Sequence, residues 1–244
     1  MKTWKRNKIL VFGDSIVYGQ LDLEMGGWVN RLRLTLANDD SICSCHVFNM
    51  GISGQTTGEV LERLDRECGG RVLADAANLI ILAAGINDSQ IINGEILVDK
   101  HTFRHNVRDL IIHARNHTPR VIYLGLTPVD DANSDPVPWD RTRRWKNSLV
   151  KEYDDIIREV CEEMGVKYIH VFDKIDPTTN ADGLHPSEAG HEILAKIMEE
   201  AVYEHLDRPV TINQIAHPAG LGEVTGNFWK NVLHRGGDKD THEE

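Results

Sequence analysis

Five short apolar runs alternate with longer segments whose apolar residues recur every three or four positions. This alternation is typical of βαβ units, in which each strand is followed by a helix that crosses back over the sheet. Apolar runs without polar alternation indicate strands buried on both faces, as in parallel sheets. The pattern predicts a three-layer α/β/α sandwich with right-handed crossovers. The predicted strands are residues 9–12, 47–48, 79–84, 121–126 and 168–172.

The segments between these runs carry the signals of amphipathic helices. Trp28, Leu32 and Leu36 recur at four-residue steps, so one face of that helix is apolar. Thr56 and Glu59 fit a capping box and predict the start of the next helix. Later stripes predict three more helices, marked by Phe103, Val107, Leu110 and Ile111, then Trp145, Leu149, Tyr153, Ile156, Val160 and Met164, then Ile193, Ile197 and Val202. We expect Trp145 and Tyr153 to be core residues.

Composition restricts the class of protein. The net charge of −11 over 244 residues argues against nucleic acid as a partner, because phosphate binding needs clustered Lys and Arg. No apolar run approaches the roughly 20 residues that cross a bilayer. The run that follows the basic residues 1–8 breaks at Gly13, too early for a signal-peptide core. These features predict a cytoplasmic protein without a membrane span.

The cysteines do not suggest a metal or redox site. Cys43 and Cys45 lie two positions apart rather than three, and Cys68 and Cys161 stand alone. We therefore expect scattered reduced thiols rather than a metal or redox site.

Ser15 follows the first predicted strand directly. Gly13 permits a sharp turn there and delivers the serine to the carboxyl end of the strand. In open α/β sheets that edge binds ligands. A serine in this place is either a nucleophile or the cap of the following helix.

A late loop supplies partners that favour the nucleophile. A serine hydroxyl needs a base to remove its proton, and His185 is suited to that role near neutral pH. Asp182, three residues earlier, can orient the histidine ring. Pro186 biases His185 towards an extended backbone and predicts the start of the last helix.

Acyl transfer also needs donors for the developing oxyanion. The backbone N–H groups of Ser15 and Gly51 and the side-chain amide of Asn87 would supply three, each at a strand end. Each residue has a structural interpretation as well, since Gly51 can serve a bend and Asn87 a turn. We expect Asp14 and Asp88 to be cap or turn residues and His191 to be structural.

Four segments of the chain together resemble the signature blocks of the SGNH hydrolase superfamily (GDSL esterases and lipases). The blocks are Gly13-Asp14-Ser15, Gly51, Gly85-Ile86-Asn87-Asp88 and Asp182-Gly183-Leu184-His185-Pro186, and the resemblance spans roughly residues 8–206. It implies a flavodoxin-like five-stranded parallel sheet of order 2-1-3-4-5 and metal-free hydrolysis of a small-molecule ester or thioester. It also implies Ser15 as nucleophile, His185 as base, Asp182 as orienting carboxylate, and an oxyanion hole at Ser15, Gly51 and Asn87.

Other classes of protein fit less well. The Gly-x-Ser-x-Gly motif of α/β-hydrolases is missing around Ser15. Neither a P-loop nor Gly-x-Gly-x-x-Gly follows any predicted strand, which argues against a nucleotide site. A carbohydrate O-acetylesterase and a catalytically silent binding protein of the same fold stay open as alternatives.

The apolar pattern stops near Arg208. We therefore predict a hydrolase domain over residues 1–207 and a C-terminal extension over residues 208–244. A short helix in the extension would expose Phe228, Trp229, Val232 and Leu233, which predicts a docking arm and a homo-oligomer held through it. The composition of residues 236–244 predicts disorder.

Overall fold

A five-stranded sheet forms the centre of the computed structural model, which describes residues 6–42 and 44–206. All neighbouring strands are parallel, and the strand order 2-1-3-4-5 confirms the predicted one. The strands are β1 Arg6–Gly13, β2 Cys45–Gly51, β3 Ala76–Ala83, β4 Val121–Leu124 and β5 Lys167–Ile169.

Two groups of helices flank the sheet and complete the three predicted layers. The helices are α1 Ser15–Tyr18, α2 Trp28–Ala37, α3 Thr57–Gly69, α4 Lys100–His117, α5 Asp131–Ser134, α6 Asn147–Met164 and α7 Glu188–Tyr203, with a 3₁₀ turn at Pro177–Thr179. α2 packs against α7, whereas α4 packs against both α3 and α6. The described helices include none with the length and apolar character needed to cross a bilayer.

β1 is held deep in the core. The side chains of Ile9, Leu10, Val11 and Phe12 are fully buried, as the uninterrupted apolar run predicts. Full burial of a side chain of this size contributes about 1.5–3 kcal/mol. Gly13 aligns with Gly51 on one side and with Ala83 on the other, so β1, β2 and β3 end at the same level.

Local signals fix where the helices begin. The Thr56 hydroxyl accepts from the N–H of Glu59, and the Glu59 carboxylate accepts from the N–H of Thr56, so the predicted capping box is confirmed. Ser187 caps α7, directly after Pro186.

Two strands and one helix are shorter in the structure than the sequence predicts. β4 stops at Leu124 and β5 at Ile169, although Leu126 and Val171 beyond them are still buried. An apolar run indicates that its residues are buried, not that they pair in a sheet. Here the buried residues continue into the loops after strand pairing ends. Trp145 is buried in the core as predicted but lies before α6 rather than on it.

A second sheet was not predicted from the sequence. Three two-residue strands, Ile91–Ile92, Glu95–Ile96 and Arg143–Arg144, pair in antiparallel fashion. Asn93 and Gly94 join the first two with φ of 53° and 91°. Positive φ at both turn residues is the geometry that Asn-Gly favours in two-residue hairpins. The small sheet ties the loop after β3 to the segment before α6.

The described cysteines are free thiols. Cys45, Cys68 and Cys161 form no disulfide, and burial raises the pKa of each thiol to about 12. They therefore remain protonated and unreactive at neutral pH. Cys43 and the predicted C-terminal extension lie outside the described residues.

Candidate active site

Ser15 stands at the turn between β1 and α1. Gly13 is required there because a Cβ on it would lie 2.1 Å from the carbonyl oxygen of Ala83. The Asp14 carboxylate accepts from the N–H of Ile16 at 2.9 Å and caps α1, as predicted. Ser15 is the first residue of the helix, where a backbone N–H has no partner within the helix. Both the hydroxyl and the N–H of Ser15 are thus presented at the edge of the sheet.

His185 links Ser15 to Asp182. Its Nε2 atom lies 2.9 Å from the Ser15 hydroxyl oxygen, and its Nδ1 atom lies 2.7 Å from a carboxylate oxygen of Asp182. A carboxylate only accepts hydrogen bonds, so this contact assigns the ring proton to Nδ1 and leaves the Nε2 lone pair facing the serine. The structure therefore brings the three predicted residues together in the order that proton transfer from Ser15 requires.

The late loop is folded around the Asp182 carboxylate. Its other oxygen accepts from the backbone N–H groups of Leu184 at 3.0 Å and His185 at 2.8 Å. Burial favours the neutral acid, but the hydrogen bonds from the ring and backbone of His185 outweigh it and lower the pKa of Asp182. Asp182 is therefore ionised at neutral pH.

Two of the predicted oxyanion donors already have hydrogen-bond partners. The N–H of Gly51 donates to the Asn49 side-chain oxygen at 2.9 Å. The Asn87 amide nitrogen donates to the Gln55 carbonyl oxygen at 2.9 Å, and an amide group carries a second N–H. The Asn49 contact is local, two positions apart within β2, whereas the Asn87 contact depends on the path of the loops and has no signal in the sequence.

Buried groups hold the loop that carries Asn87. The Asp88 carboxylate accepts from the N–H of Thr57 at 2.9 Å and from its hydroxyl at 2.5 Å, which ties the loop to α3. The indole N–H of Trp145 donates to the Ile86 carbonyl oxygen at 3.0 Å. These contacts give Asp88 the predicted turn-holding role and explain why Trp145 is buried beside the loop.

Two buried carboxyl groups lie under the site. Burial raises the pKa of Asp14 to about 6 and that of Asp88 to about 7, against the lowering effect of their hydrogen bonds. The Asp14 carboxyl adds to the raised pKa of Asp88, because like charges repel in a region of low dielectric. Neither contacts the Ser15 hydroxyl in the described structure.

The indole ring of Trp139 lies beside the His185 ring. Its ring centroid lies 6.1 Å from that of His185, with 31° between the ring planes, and the residue is 52% exposed. No pattern in the sequence predicts this contact, because Trp139 lies in an irregular loop without periodicity. The exposed indole leaves a large apolar surface beside His185.

His191 fits the structural role predicted for it. Its Nδ1 atom accepts from the N–H of Trp28 at 3.3 Å, and its Nε2 atom lies 3.3 Å from the Gln20 carbonyl oxygen. Burial lowers its pKa. Within residues 6–42 and 44–206, no cluster of three or more His, Cys, Asp or Glu residues is arranged to hold a metal ion.

A serine, a histidine and a carboxylate in successive contact at the carboxyl edge of a parallel sheet form the arrangement that serine hydrolases use. Residues 11–193 match the model of the GDSL-like lipase/acylhydrolase family. The chain belongs to this family, as the sequence blocks suggested.

Relatives and solved structures agree with this membership. The GDSL esterase/lipase CPRD49 of Arabidopsis thaliana is 28% identical over 218 residues, which cover 80% of each chain. An acetylxylan esterase of Geobacillus stearothermophilus is 24% identical over 80% of this chain and 94% of its own. A lipase/acylhydrolase from Enterococcus faecalis has a similar fold, with a TM-score of 0.67, 23% identity, and coverage of 84% of this chain and all of its own.

Proposed function

We propose that the protein hydrolyses carboxylic esters through an acyl-enzyme on Ser15. The observation that carries the proposal is the 2.9 Å contact between the Ser15 hydroxyl oxygen and Nε2 of His185. Membership of the GDSL-like lipase/acylhydrolase family supports the same reaction class.

In the first half-reaction, the Ser15 oxygen attacks the acyl carbon while its proton passes to Nε2 of His185. Asp182 stabilises the resulting imidazolium. The acyl oxygen becomes an oxyanion, which accepts from the N–H of Ser15, the N–H of Gly51 and the Asn87 amide. Collapse of the tetrahedral intermediate breaks the ester bond, and His185 returns the proton to the leaving alcohol.

In the second half-reaction, water takes the place of the alcohol. His185 accepts a proton from the water as it attacks the acyl-enzyme, and then donates that proton to the Ser15 oxygen as the acid leaves. A thioester would follow the same steps with a thiol as leaving group.

A panel of p-nitrophenyl esters of increasing acyl length, with an acyl thioester beside them, tests the proposal. Turnover in the wild type, its loss in Ser15→Ala and covalent labelling of Ser15 by a serine-reactive phosphonate are expected. Ser53→Ala is a matched control, because Ser53 is exposed nearby and its hydroxyl contacts the Gln20 side chain. A folded wild type that turns over none of these substrates and takes up no phosphonate would instead favour the silent binding protein.

A carbohydrate O-acetylesterase is the second candidate. The acetylxylan esterase of Geobacillus stearothermophilus is among the relatives. The exposed Trp139 beside His185 favours it too, because a flat indole face can pack against the apolar face of a sugar ring. Acetate release from an acetylated xylo-oligosaccharide, compared with p-nitrophenyl acetate, tests this activity. Trp139→Ala should raise KM for the saccharide several-fold and leave the aryl ester unchanged; equal effects would argue against a sugar platform.

A further inference from the structure

Arg63 of α3 lies directly beneath the strand ends that carry the predicted oxyanion donors. It is only 5% exposed. Its Nη2 atom donates to the carbonyl oxygens of Gly13 at 3.1 Å and Met50 at 2.7 Å. A charged side chain is rarely buried unless it is well paired, because desolvation is costly. Arg63 forms an ion pair with Glu67 at 3.1 Å, but two of its contacts are with neutral carbonyl groups at the strand ends.

The hydrogen bond from Arg63 to the Met50 carbonyl oxygen also affects the backbone N–H of Gly51. The Met50 carbonyl and the Gly51 N–H belong to one planar peptide group, so fixing the direction of the carbonyl also fixes the direction of the N–H. A positively charged donor on the carbonyl polarises the peptide and makes its N–H a stronger donor. Arg63 therefore orients and strengthens this N–H from the side opposite to the substrate.

The other contacts of Arg63 link it indirectly to the Ser15 N–H and the Asn87 amide. Gly13, whose carbonyl it also holds, lies two residues before Ser15 in the turn that presents the Ser15 N–H. The Nε atom of Arg63 donates to the Gln55 side chain at 2.7 Å, and the Gln55 carbonyl accepts from the Asn87 amide at 2.9 Å. One guanidinium thus connects all three donor positions.

This support matters because the Gly51 N–H already has an acceptor. The Asn49 side-chain oxygen holds it at 2.9 Å, so an oxyanion must share or replace that oxygen. The peptide can exchange one acceptor for another without rotating, provided that its carbonyl stays fixed. The reorganisation is then confined to the Asn49 side chain, while the donating peptide stays preorganised.

We propose that Arg63 is a positioning residue for ester hydrolysis, which holds the Met50–Gly51 peptide and the two neighbouring donors in the geometry of the transition state. The inference rests on the proposed function. It predicts an effect on kcat rather than on KM, because the donors strengthen their bonds mainly in the transition state.

The test compares Arg63→Met, which keeps the volume but no donor, with Arg63→Lys, which keeps the charge without the planar fork. At a temperature well below unfolding, Arg63→Met should lower kcat at least tenfold with KM within about twofold, and Arg63→Lys should lie between it and the wild type. Phosphonate inactivation should slow in parallel, because the phosphoryl oxygen gains negative charge as Ser15 attacks the phosphorus and displaces the leaving group. The pH profile should stay unchanged, since Arg63 makes no hydrogen bond to His185 in the described structure.

Glu67→Gln is the matched control, because Glu67 accepts from Nη1 of Arg63 at 3.1 Å but contacts none of the strand ends. Its kcat should stay within about twofold of the wild type. Folding of each variant is checked by circular dichroism, and active sites are counted by the endpoint of phosphonate labelling. If Arg63→Met does not fold, the kcat of Arg63→Lys relative to the wild type tests the inference instead.

Wild-type kcat per labelled site in a folded Arg63 variant would overturn the inference, as would an equal loss in Glu67→Gln. An inactive wild type would overturn the proposed function instead. The two failures are therefore distinguishable.

Discussion

Asp182 holds His185 at two points, with one carboxylate oxygen 2.7 Å from the ring Nδ1 and the other 2.8 Å from the backbone nitrogen. One side chain thus sets both the orientation of the ring and the fold of the loop. The two tasks can be separated, because an amide oxygen can still accept from the backbone but an amide nitrogen cannot accept from the ring.

Asp182→Asn should therefore keep the fold and lose most of the activity. The new side chain favours the wrong ring tautomer, and in a serine protease the corresponding change lowers kcat by roughly 10⁴. Steady-state kinetics and thermal melting measure the two effects, with His185→Ala as the reference for complete loss of the base. Activity within tenfold of the wild type would show that Asp182 does not orient His185.

Asn87 allows a graded test of the oxyanion hole. Asn87→Ala removes an amide donor and should lower kcat by roughly 10²–10³ with little change in KM. Asn87→Asp keeps the shape but replaces the donor with a negative charge, so its kcat should be lower still. A rise in KM at unchanged kcat would contradict the role of the amide.

Gly51 has a steric role as well. A Cβ on it would lie 2.2 Å from the Tyr18 nitrogen and 2.8 Å from the Asp14 carbonyl oxygen, both in the backbone around α1. Gly51→Ala should displace the helix that begins at Ser15, lower kcat at least tenfold and cost about 1–3 kcal/mol of unfolding free energy. Gly70→Ala is the control, because a Cβ there meets open space within the described structure and φ is −88°. Equal effects of the two substitutions, measured by urea denaturation and kinetics, would contradict the steric argument.

Asp88 should make stability fall as the pH rises. Burial raises its pKa to about 7, so between about pH 4 and pH 7 the folded protein keeps a proton that the unfolded chain releases. Asp88→Asn removes this titration. As the pH rises from 4.5 to 8, the unfolding free energy of the wild type should therefore fall relative to that of Asp88→Asn by at most about 3 kcal/mol. Urea denaturation of both proteins at both pH values measures this difference.

Asp176→Asn is a contrasting control for that experiment. Hydrogen bonds from Thr178 lower the pKa of Asp176, so its charge adds stability as the pH rises rather than removing it. A parallel pH dependence of the wild type and Asp88→Asn would show that Asp88 is not the group responsible.

The sequence predicts the fold and the site for a common reason. Parallel strands end at one edge, so residues that follow different strands, such as Ser15 and Asn87, can be placed together without knowing any side-chain contact. The contacts of Arg63 could not be predicted in this way, because it binds backbone carbonyl groups, which every residue carries. The position of Trp139 could not be predicted either, because its loop has no periodicity. Asn93-Gly94 did carry a hairpin signal, but the strands around it are too short to show an alternating pattern.

Ser15 and His185 are separated by 170 positions, and only the completed sheet brings them into contact. During synthesis Ser15 leaves the ribosome long before His185 is made, so in the proposed reaction its hydroxyl has no base until the loop before α7 docks on the edge of the sheet. The proposed reaction therefore requires the whole domain to be folded. Turnover in a refolding experiment is then expected to appear with the last step of assembly rather than the first.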